Sequence, residues 1–396
     1  MRQQVDVLVS GGGVAGLAAA AAFGAAGYSV ICVDPAPPVT QATLPGADLR
    51  TTAFLQPSIP VLQAAGLWQR LEPHAMPLQV MRIVDAGGAE PVARITHDFD
   101  AADVSAQPFG WNLPNWLLRR EFVARLGELP TVDFRPGTGF ARLTARESEA
   151  LVTLSDGSRI AARLVIAADG RHSPVRKALG IGTSTTRYGQ KALAFAVTHP
   201  EPHGNVSTEI HRSGGPFTLV PLPDHQGKPC SAVVWMETGP EIERLRALPR
   251  TAFEAEMNTR SCGLFGWLEQ ASPLTIWPII TQLAERFNGP RTALMAEAAH
   301  VVPPIGAQGL NMSLGDLTTL IDLARPETLG EAAPLAAYHR RRWPEARLRL
   351  AGVDALNRAS MIDNRPLRDA RAAALHALYS LAPVRRGLMQ LGIGLR

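Results

Sequence analysis

Two kinds of apolar pattern divide the chain. Its start holds a continuous apolar run, Val5–Ser10, then a glycine turn, an alanine-rich run from Leu17 to Ala26 and a second apolar run from Tyr28 to Val33. Continuous runs of this kind, bounded by glycine, are typical of parallel strands that are buried on both faces. The pattern therefore predicts a strand–helix–strand unit here, and the apolar run at 164–168 predicts a further buried strand.

Later segments show other periodicities. Apolar residues recur at helical spacing from Pro57 to Leu71 and from Trp116 to Leu129. From Tyr188 to Ile280 the pattern changes to short strand-like runs between turns, with one helical insert at 241–258. The strand-like runs are Ala192–Val197, Val206–His211, Phe217–Pro221, Ser231–Met236 and Leu274–Pro278. They predict a mostly antiparallel sheet, which an earlier excursion through a strand at Val80–Val84 joins.

The glycine turn has the GxGxxG spacing. Gly11 permits a tight turn, Gly13 lets the backbone approach a pyrophosphate, and Gly16 lets the helix lie close to the strand. Asp34 ends the second strand near the offset of about 20 residues that is expected for a carboxylate accepting ribose hydroxyls. The alternative is a glycine-rich turn in another strand–helix unit, and the motif does not choose between FAD and NAD. The predicted dinucleotide-binding residues are Gly11, Gly13, Val14, Ala15, Gly16 and Asp34.

Composition narrows the class of protein. The 396 residues are 46% apolar and 19% charged, as in ordinary globular proteins, and no apolar run approaches the roughly 20 residues of a membrane span. The net charge is +4 and the chain contains no lysine-rich block, which argues against nucleic-acid binding. The run from Leu17 to Ala26 has no convincing signal-peptide cleavage site, so we expect a cytoplasmic protein. Cys32, Cys230 and Cys262 form no CxxC pair and are expected to be buried thiols, and no metal site is predicted.

Two further stretches complete a set of three. The strand at 164–168 runs into Asp169-Gly170-x-x-Ser173-x-Val175-Arg176. A third stretch combines Glu297-Ala298-Ala299-His300 with Pro304 and Gln308-Gly309-Leu310-Asn311. With the GxGxxG turn, in this order and spacing, they make the chain resemble the single-component FAD-dependent aromatic hydroxylases, the class A flavoprotein monooxygenases. The resemblance spans almost the whole chain.

The resemblance implies an α/β fold with three parts. These are a Rossmann-like FAD-binding domain of the para-hydroxybenzoate-hydroxylase type, a mostly antiparallel β-sheet substrate domain and C-terminal helices. The FAD-binding domain is expected to be discontinuous, because the strand-rich segments interrupt it. The predicted boundaries are 1–75, 105–180 and 286–330 for the FAD-binding domain, 76–104 and 181–285 for the substrate domain, and 331–396 for the C-terminal helical region.

The resemblance also implies roles for residues outside the first motif. Glu297 would accept hydrogen bonds from the ribityl chain, and the helix that starts near Gly309 would direct its positive end toward the flavin. Asp169 would support the pyrophosphate and help a transient NAD(P)H to dock, although a helix N-cap without a ligand is the alternative. His300 is as readily a structural histidine as a catalytic one. The implied cofactor-binding residues are Arg50, Arg119, Asp169, Gly170, Glu297, Pro304, Gly309, Leu310 and Asn311, and no catalytic residue is assigned.

Two stretches depart from the family pattern, at three residues. Ala296-Glu297 stands where the family has Gly-Asp, and Ala307-Gln308-Gly309 stands where it has Gly-Gln-Gly. The extra methylene group of Glu297 lengthens the reach of the carboxylate. Ala307 has fewer backbone conformations available than the glycine of the family pattern. Neither change removes a charge or a hydrogen-bond donor.

Within the class, the chain is most similar to the ubiquinone-biosynthesis hydroxylases of the octaprenyl-methoxyphenol type. The similar segments are 48–53, 188–192, 215–222 and 383–388. This similarity implies that the chain hydroxylates a prenylated phenol with FAD, NAD(P)H and dioxygen, alongside other ubiquinone-biosynthesis proteins. The alternatives are a hydroxylase of a small soluble aromatic acid, or a catalytically silent accessory flavoprotein of a biosynthetic complex.

The C-terminal region from Pro334 to Arg396 reads as helical and offers a route to a lipid-like substrate. Arginines cluster at 340–349, 365–371 and 385–386. Apolar residues follow at the end, at Leu388, Met389, Leu391, Ile393 and Leu395. Such a segment suits an anionic membrane surface, so peripheral attachment to the inner face of the cytoplasmic membrane is predicted. The alternative is that these helices pack on the flavin domain.

Overall fold

The computed structural model of the protein describes residues 2–88 and 90–394. Within these residues, twenty strands form three sheets. The strands are β1 (Gln3–Ser10), β2 (Val30–Asp34), β3 (Thr51–Leu55), β4 (Met76–Leu78), β5 (Val80–Asp85), β6 (Ile95–Asp100), β7 (Gly110–Pro114), β8 (Val132–Pro136), β9 (Phe140–Ala145), β10 (Ala150–Leu154), β11 (Arg159–Ala167), β12 (Thr183–Thr198), β13 (Val206–His211), β14 (Pro216–His225), β15 (Lys228–Thr238), β16 (Glu269–Gln270), β17 (Thr275–Ala284), β18 (Asn288–Gly289), β19 (Thr292–Leu294) and β20 (His300–Val301).

The described residues also form eleven α-helices, of which the last three follow one another at the C-terminal end. The helices are α1 (Val14–Ala25), α2 (Ile59–Ala64), α3 (Trp68–Leu71), α4 (Asn115–Glu128), α5 (Pro174–Ala178), α6 (Gly239–Ala247), α7 (Arg250–Arg260), α8 (Gln308–Leu323), α9 (Ala332–Ser360), α10 (Arg365–Ser380) and α11 (Ala382–Ile393). Within the described chain, none of these helices is both long enough and apolar enough to cross a bilayer.

The first sheet has eight strands and a parallel centre: six follow the order β18-β19-β11-β1-β2-β8, and β10 pairs with β11 and with β9. Val7 of β1 pairs with Leu164 on one side and with Val30 on the other, and all three side chains are buried. Helix α1 packs between this sheet and helices α4 and α8. Because it is apolar on every side, it is buried on every side. The predicted strand–helix–strand unit is therefore confirmed.

The second sheet has nine strands, in the order β20-β17-β12-β15-β14-β13-β5-β6, with β16 beside β12. It is antiparallel except where β5 runs parallel to β13, so the predicted excursion through Val80 joins this sheet. One face packs Phe195, Phe217 and Trp235 against α6 and α7. The third sheet, β3-β7-β4, contacts β14 of the second sheet through β4 and β7. The division into domains remains a prediction.

Two helix predictions were wrong in detail. The predicted helix from Pro57 to Leu71 is a 3-10 turn followed by α2 and α3, which separate at Gly66 with a φ of +70°. The single insert predicted at 241–258 is two helices, α6 and α7. Leu248 precedes Pro249 and adopts an extended conformation, which ends α6. Cys32 and Cys230 are buried as expected, whereas Cys262 is only half-buried.

Candidate functional site

Four parallel strands bring the sequence motifs to one edge of the first sheet. Strands β19, β11, β1 and β2 are neighbours and run in the same direction. Their carboxyl ends therefore meet at the same edge, where a parallel sheet usually binds its ligands. The glycine turn follows β1, Asp34 ends β2, Asp169 follows β11 and Glu297 follows β19. Residues that lie far apart in the sequence thus converge because of the strand order.

A central cavity of about 790 Å³ extends from this edge to the second sheet. All but two of the predicted cofactor-binding residues line it. The residues that line it are Gly11, Gly13, Val14, Ala15, Asp34, Arg50, Arg119, Asp169, Gly170, Glu297, Pro304, Gly309 and Leu310. Gly16 and Asn311 do not line the cavity.

The three glycines of the turn differ in their surroundings. A Cβ atom on Gly11 would lie 2.3 Å from the carbonyl oxygen of Ala168, and Gly11 has a φ of +114°. A Cβ atom on Gly16 would lie 1.9 Å from the carbonyl oxygen of Gly11, so Gly16 is required for close packing of the helix on the strand. A Cβ atom on Gly13 would meet no protein atom within 4 Å and would project into the cavity. Gly13 thus leaves room for a ligand rather than for another part of the chain.

Asp34 is held in place by the glycine turn. Its Oδ2 atom accepts a hydrogen bond of 2.6 Å from the backbone N–H of Gly12, and its Oδ1 atom accepts one of 2.9 Å from Ala36. Each carboxylate oxygen can accept a further hydrogen bond. The side chain of Asp34 is therefore held at the edge of the cavity with both oxygens able to accept a hydrogen bond from a ligand.

Asp169 has an unused carboxylate oxygen. Its Oδ2 atom accepts hydrogen bonds from the N–H of Val175 at 3.2 Å and from the hydroxyl of Ser10 at 3.4 Å. Its Oδ1 atom is buried and has no partner within the described residues. Burial raises the pKa of this carboxyl above its ordinary value. Helix α5 already has its N-cap in Ser173, whose hydroxyl accepts a hydrogen bond from Arg176. Capping thus accounts for one oxygen of Asp169 and not for the other.

A carboxylate that the sequence motifs did not mark as functional positions both cavity arginines. Asp48 forms two hydrogen bonds of 2.7 Å with Arg50 and lies 3.6 Å from Arg119. Burial alone would raise the pKa of Asp48, but the two arginines hold it below its ordinary value. Arg120 turns away to Glu121, so Arg119 is the arginine of this pair that lines the cavity. The Nε atom of Arg119 is buried without a partner within the described chain.

Both alanines that depart from the family pattern adopt a left-handed backbone. Ala296 and Ala307 each have a φ of +55°, a region in which glycine is the favoured residue. Glu297 follows Ala296 in a 3-10 turn, and its side chain is 48% exposed. The Nε atom of Arg171 donates a hydrogen bond of 3.4 Å to its carboxylate. Alanine in place of glycine at these two positions therefore adds local backbone strain, but the turns still form.

His300 belongs to a buried charge network. Its Nε2 atom lies 2.7 Å from Oδ2 of Asp316, and Arg342 donates a hydrogen bond of 2.8 Å to Oδ1 of the same carboxylate. Burial opposes the charge of Asp316, but His300 and Arg342 hold its pKa below the ordinary value. The network ties the cavity wall to α8 and α9, and it favours the structural interpretation of His300. The sequence did not mark Asp316, because no motif includes it.

The side chain of Asn311 is engaged within the protein, and its role in cofactor binding stays a prediction. Its Nδ2 atom donates hydrogen bonds to the carbonyl groups of Ala53 at 2.8 Å and Ala307 at 2.6 Å. Its Oδ1 atom accepts one from the N–H of Leu55 at 2.8 Å. The side chain thus fastens the start of α8 to β3, and it contributes to the site by positioning that helix.

The residues at this edge fit an FAD molecule. Gly13 leaves open space next to the start of α1, where a helix N-terminus favours a phosphate. The unpartnered Oδ1 of Asp169 and Nε of Arg119 supply an acceptor and a donor in the cavity lining. Buried polar atoms usually have partners, and a ligand would provide them.

Comparison with known families agrees with this fit. The family described as an FAD binding domain matches residues 4–351. The chain belongs to this FAD-binding family. Its match begins in β1 and ends within α9, so it includes both large sheets and the central cavity.

Similar proteins within this group cover nearly the whole chain. A ubiquinone hydroxylase, UbiL, from Rhodospirillum rubrum is 34% identical over 98% of this chain and 89% of its own length. A 3-demethoxyubiquinol 3-hydroxylase from Escherichia coli is 26% identical over 99% of both chains. Among solved structures, PqsL of Pseudomonas aeruginosa, a probable FAD-dependent monooxygenase, has a TM-score of 0.78 and 21% identity, and the match covers 93% of this chain and 99% of that one. The structural likeness confirms the predicted fold.

Proposed function

We propose that the protein is an FAD-dependent hydroxylase that adds one oxygen atom to the ring of a prenylated phenol in ubiquinone biosynthesis. The observation that carries this proposal is the single cavity that joins the nucleotide-binding edge to the second sheet. The names of the similar proteins support this substrate class. They give no support to a hydroxylase of a small aromatic acid or to a silent accessory protein.

We assign the cofactor-binding roles as follows. The glycine turn and Asp34 would hold the adenosine end, Asp169 the pyrophosphate region and Glu297 the ribityl chain. When bound, FAD supplies the electron transfer between NAD(P)H and dioxygen. The first turn of α8 faces the cavity through Gly309 and Leu310, and its positive end stabilises negative charge placed before it. The apolar walls exclude water from the reacting groups.

Product analysis tests the proposal directly. The purified protein is mixed with 2-geranylphenol and either NADH or NADPH, and the products are analysed by mass spectrometry. We expect a product with one additional oxygen atom, and the better of the two nucleotides identifies the reductant. Turnover of 4-hydroxybenzoate instead would favour the aromatic-acid alternative. If neither compound gains an oxygen atom, the accessory role is favoured.

We further propose that α10 and α11 attach the protein to an anionic membrane surface, which would give access to a lipid-like substrate. Met389 and Ile393, two of the residues expected to face lipid, instead pack against Leu55 and Phe109, and Leu395 lies outside the described residues. Other leucines are exposed to solvent. They are Leu367, Leu378, Leu381, Leu388 and Leu391. Each neighbouring cation would add about 1 kcal/mol of attraction.

Not every arginine of the region is available for this role. Arg342 pairs with Asp316 of α8, Arg349 donates a hydrogen bond to Gln308 of α8, and Arg371 contacts Asp85 of β5, so these three stabilise helix docking. Arg365 and Arg386 are exposed. Association with other ubiquinone-biosynthesis proteins remains a prediction from the resemblance.

Co-sedimentation with anionic liposomes tests the attachment. The variant combines Leu381→Ser, Leu388→Ser and Leu391→Ser, and the control combines Leu348→Ser and Leu356→Ser on α9, where both leucines are also exposed. We expect the first variant to lose binding at low salt and the control to keep it. Equal binding by both variants would show that α11 is not the attachment surface.

A further inference from the structure

One carboxylate interrupts the part of the cavity wall that six strands of the second sheet form. Strands β5, β12, β13, β14, β15 and β17 contribute small and apolar residues to this wall, among them Ala194, Thr218, Val220, Ala232, Val234 and Ile279. Within the described residues, Glu209 on β13 is the only ionisable residue that these strands place there. A carboxylate in such surroundings is costly unless it has a partner.

Glu209 has a partner two residues along the same strand. The Nε2 atom of His211 lies 2.7 Å from Oε1 of Glu209, and the two side chains are 18% and 17% exposed, respectively. The pair uses one carboxylate oxygen. The Nδ1 atom of His211 is buried and has no partner within the described chain. The cross-strand neighbours of Glu209 are Thr218 and Ile83, neither of which is charged.

Beyond His211 lies a second charged group. Asp85 on β5 is the cross-strand neighbour of His211, and Arg94 and Arg371 both contact its carboxylate. Asp85 thus has two cationic partners of its own, and His211 remains paired with Glu209. This arrangement fixes the orientation of the Glu209 carboxylate at the cavity wall.

We propose that Glu209 accepts the proton of the phenolic hydroxyl group of the substrate, and that His211 is the positioning residue that orients Glu209. This inference rests on the proposed function. In the step, the O–H bond breaks, its electron pair stays on the phenolic oxygen and the proton goes to the carboxylate. The resulting phenolate has more electron density at the ring carbons ortho and para to the oxygen, which are the carbons that can take up an oxygen atom.

The same charge selects the substrate. A carboxylate at this wall repels an acidic aromatic ring that approaches it, whereas a neutral phenol can donate a hydrogen bond to it. Two arginines, Arg50 and Arg119, also line the cavity, but both are already paired with Asp48. Glu209 therefore favours a neutral phenol over a benzoate.

The test compares the holoenzyme with Glu209→Gln and with a matched control, Glu237→Gln. Glu237 is a half-buried carboxylate on β15 that does not line the cavity. The ionisation of bound 2-geranylphenol is followed by its near-ultraviolet difference spectrum across a pH series, and kcat and KM are measured with the same compound. Flavin content and melting temperature show that each variant is folded. His211→Gln is measured in the same way.

We expect the wild type and the control to bind the phenol as its phenolate well below the pH at which the free compound ionises. Glu209→Gln should lose this shift and lose about 100-fold or more in kcat, with little change in KM. His211→Gln should weaken both effects without abolishing them. An unchanged spectrum in Glu209→Gln, with hydroxylation intact, would overturn the inference and leave the proposed function standing. Failure of the wild type to bind the phenol would overturn both.

Discussion

Replacement of Gly13 separates the stability of the fold from its affinity for the cofactor. Gly13 has φ −70° and ψ 172°, an extended conformation that any residue adopts, and its added Cβ atom meets nothing within 4 Å. Gly13→Ala gains about 0.4–1 kcal/mol from the lower entropy of the unfolded chain and loses about 0.5–1 kcal/mol because Ala is a poorer N-cap than Gly. The free energy of unfolding of the apoprotein should therefore change by about 0.5 kcal/mol or less.

The affinity for FAD should fall because the methyl group projects into the path assigned to the pyrophosphate. Steric overpacking typically costs about 1–3 kcal/mol, which corresponds to a rise in Kd of about 5- to 150-fold, and Gly13→Val should prevent flavin retention. Gly16→Ala is the contrasting variant, because its Cβ atom would lie 1.9 Å from a carbonyl oxygen and should destabilise the apoprotein by about 3 kcal/mol. Urea unfolding and flavin-fluorescence titration measure the two quantities. Stoichiometric FAD in purified Gly13→Val would refute the assignment of the turn.

Three further predictions concern the rest of the site. Glu297→Ala should weaken FAD binding by about 1–3 kcal/mol and Glu297→Asp only slightly, whereas equal affinities in a fluorescence titration would exclude Glu297 as a ligand. Ala307→Gly should raise the free energy of urea unfolding by about 0.5–1 kcal/mol, because it relieves the strain of a left-handed backbone. Ala296→Gly should be nearly neutral, because the same relief is offset by the loss of a buried methyl group worth about 0.8 kcal/mol. A large fall in the free energy of unfolding of Ala307→Gly would contradict this account. Burial raises the pKa of Asp169 in the folded protein. Between the ordinary pKa and the raised one, the folded apoprotein therefore keeps a proton that the unfolded chain has released, and it loses stability as pH rises through this range. Asp169→Asn should remove this loss, and an unchanged dependence of melting temperature on pH in the variant would contradict the prediction.

The sequence predicted those parts of the site that short motifs and parallel strands determine. Gly11 and Asp34 were marked by the strand–helix–strand unit with its GxGxxG turn, and Asp169 and Glu297 by the two further motifs that carry the family resemblance. Parallel strands place all four at one edge. The antiparallel second sheet followed from the periodicities, and the fold class followed from the resemblance. The family comparison confirms FAD binding by the chain, while the individual ligand roles remain predictions.

The residues that were missed act through contacts between distant segments. Asp48 has Arg50 two residues away along the chain, but it acquires its second partner, Arg119, only when α4 packs beside it. Asp316 lies in α8 beyond the motif residues at the start of that helix, and its partner Arg342 comes from the next helix. Glu209 reads as an ordinary strand residue, because its position on the cavity wall depends on the packing of the second sheet against the first. No local pattern encodes such pairings.

The order of strands in the first sheet sets when the protein can fold during synthesis. Strand β11 needs β1 on one side and β19 on the other, and these strands end at Ser10 and Leu294. At about 5–20 residues per second, roughly 15 to 60 s pass before β19 has been made. Until then Val165–Ala167 of β11 lack their partner strand on that edge, the first half of which pairs with β10, and the turn that carries Glu297 does not yet exist. A ribosome-bound chain therefore cannot complete the cofactor site, and FAD is expected to bind after most of the polypeptide has been translated.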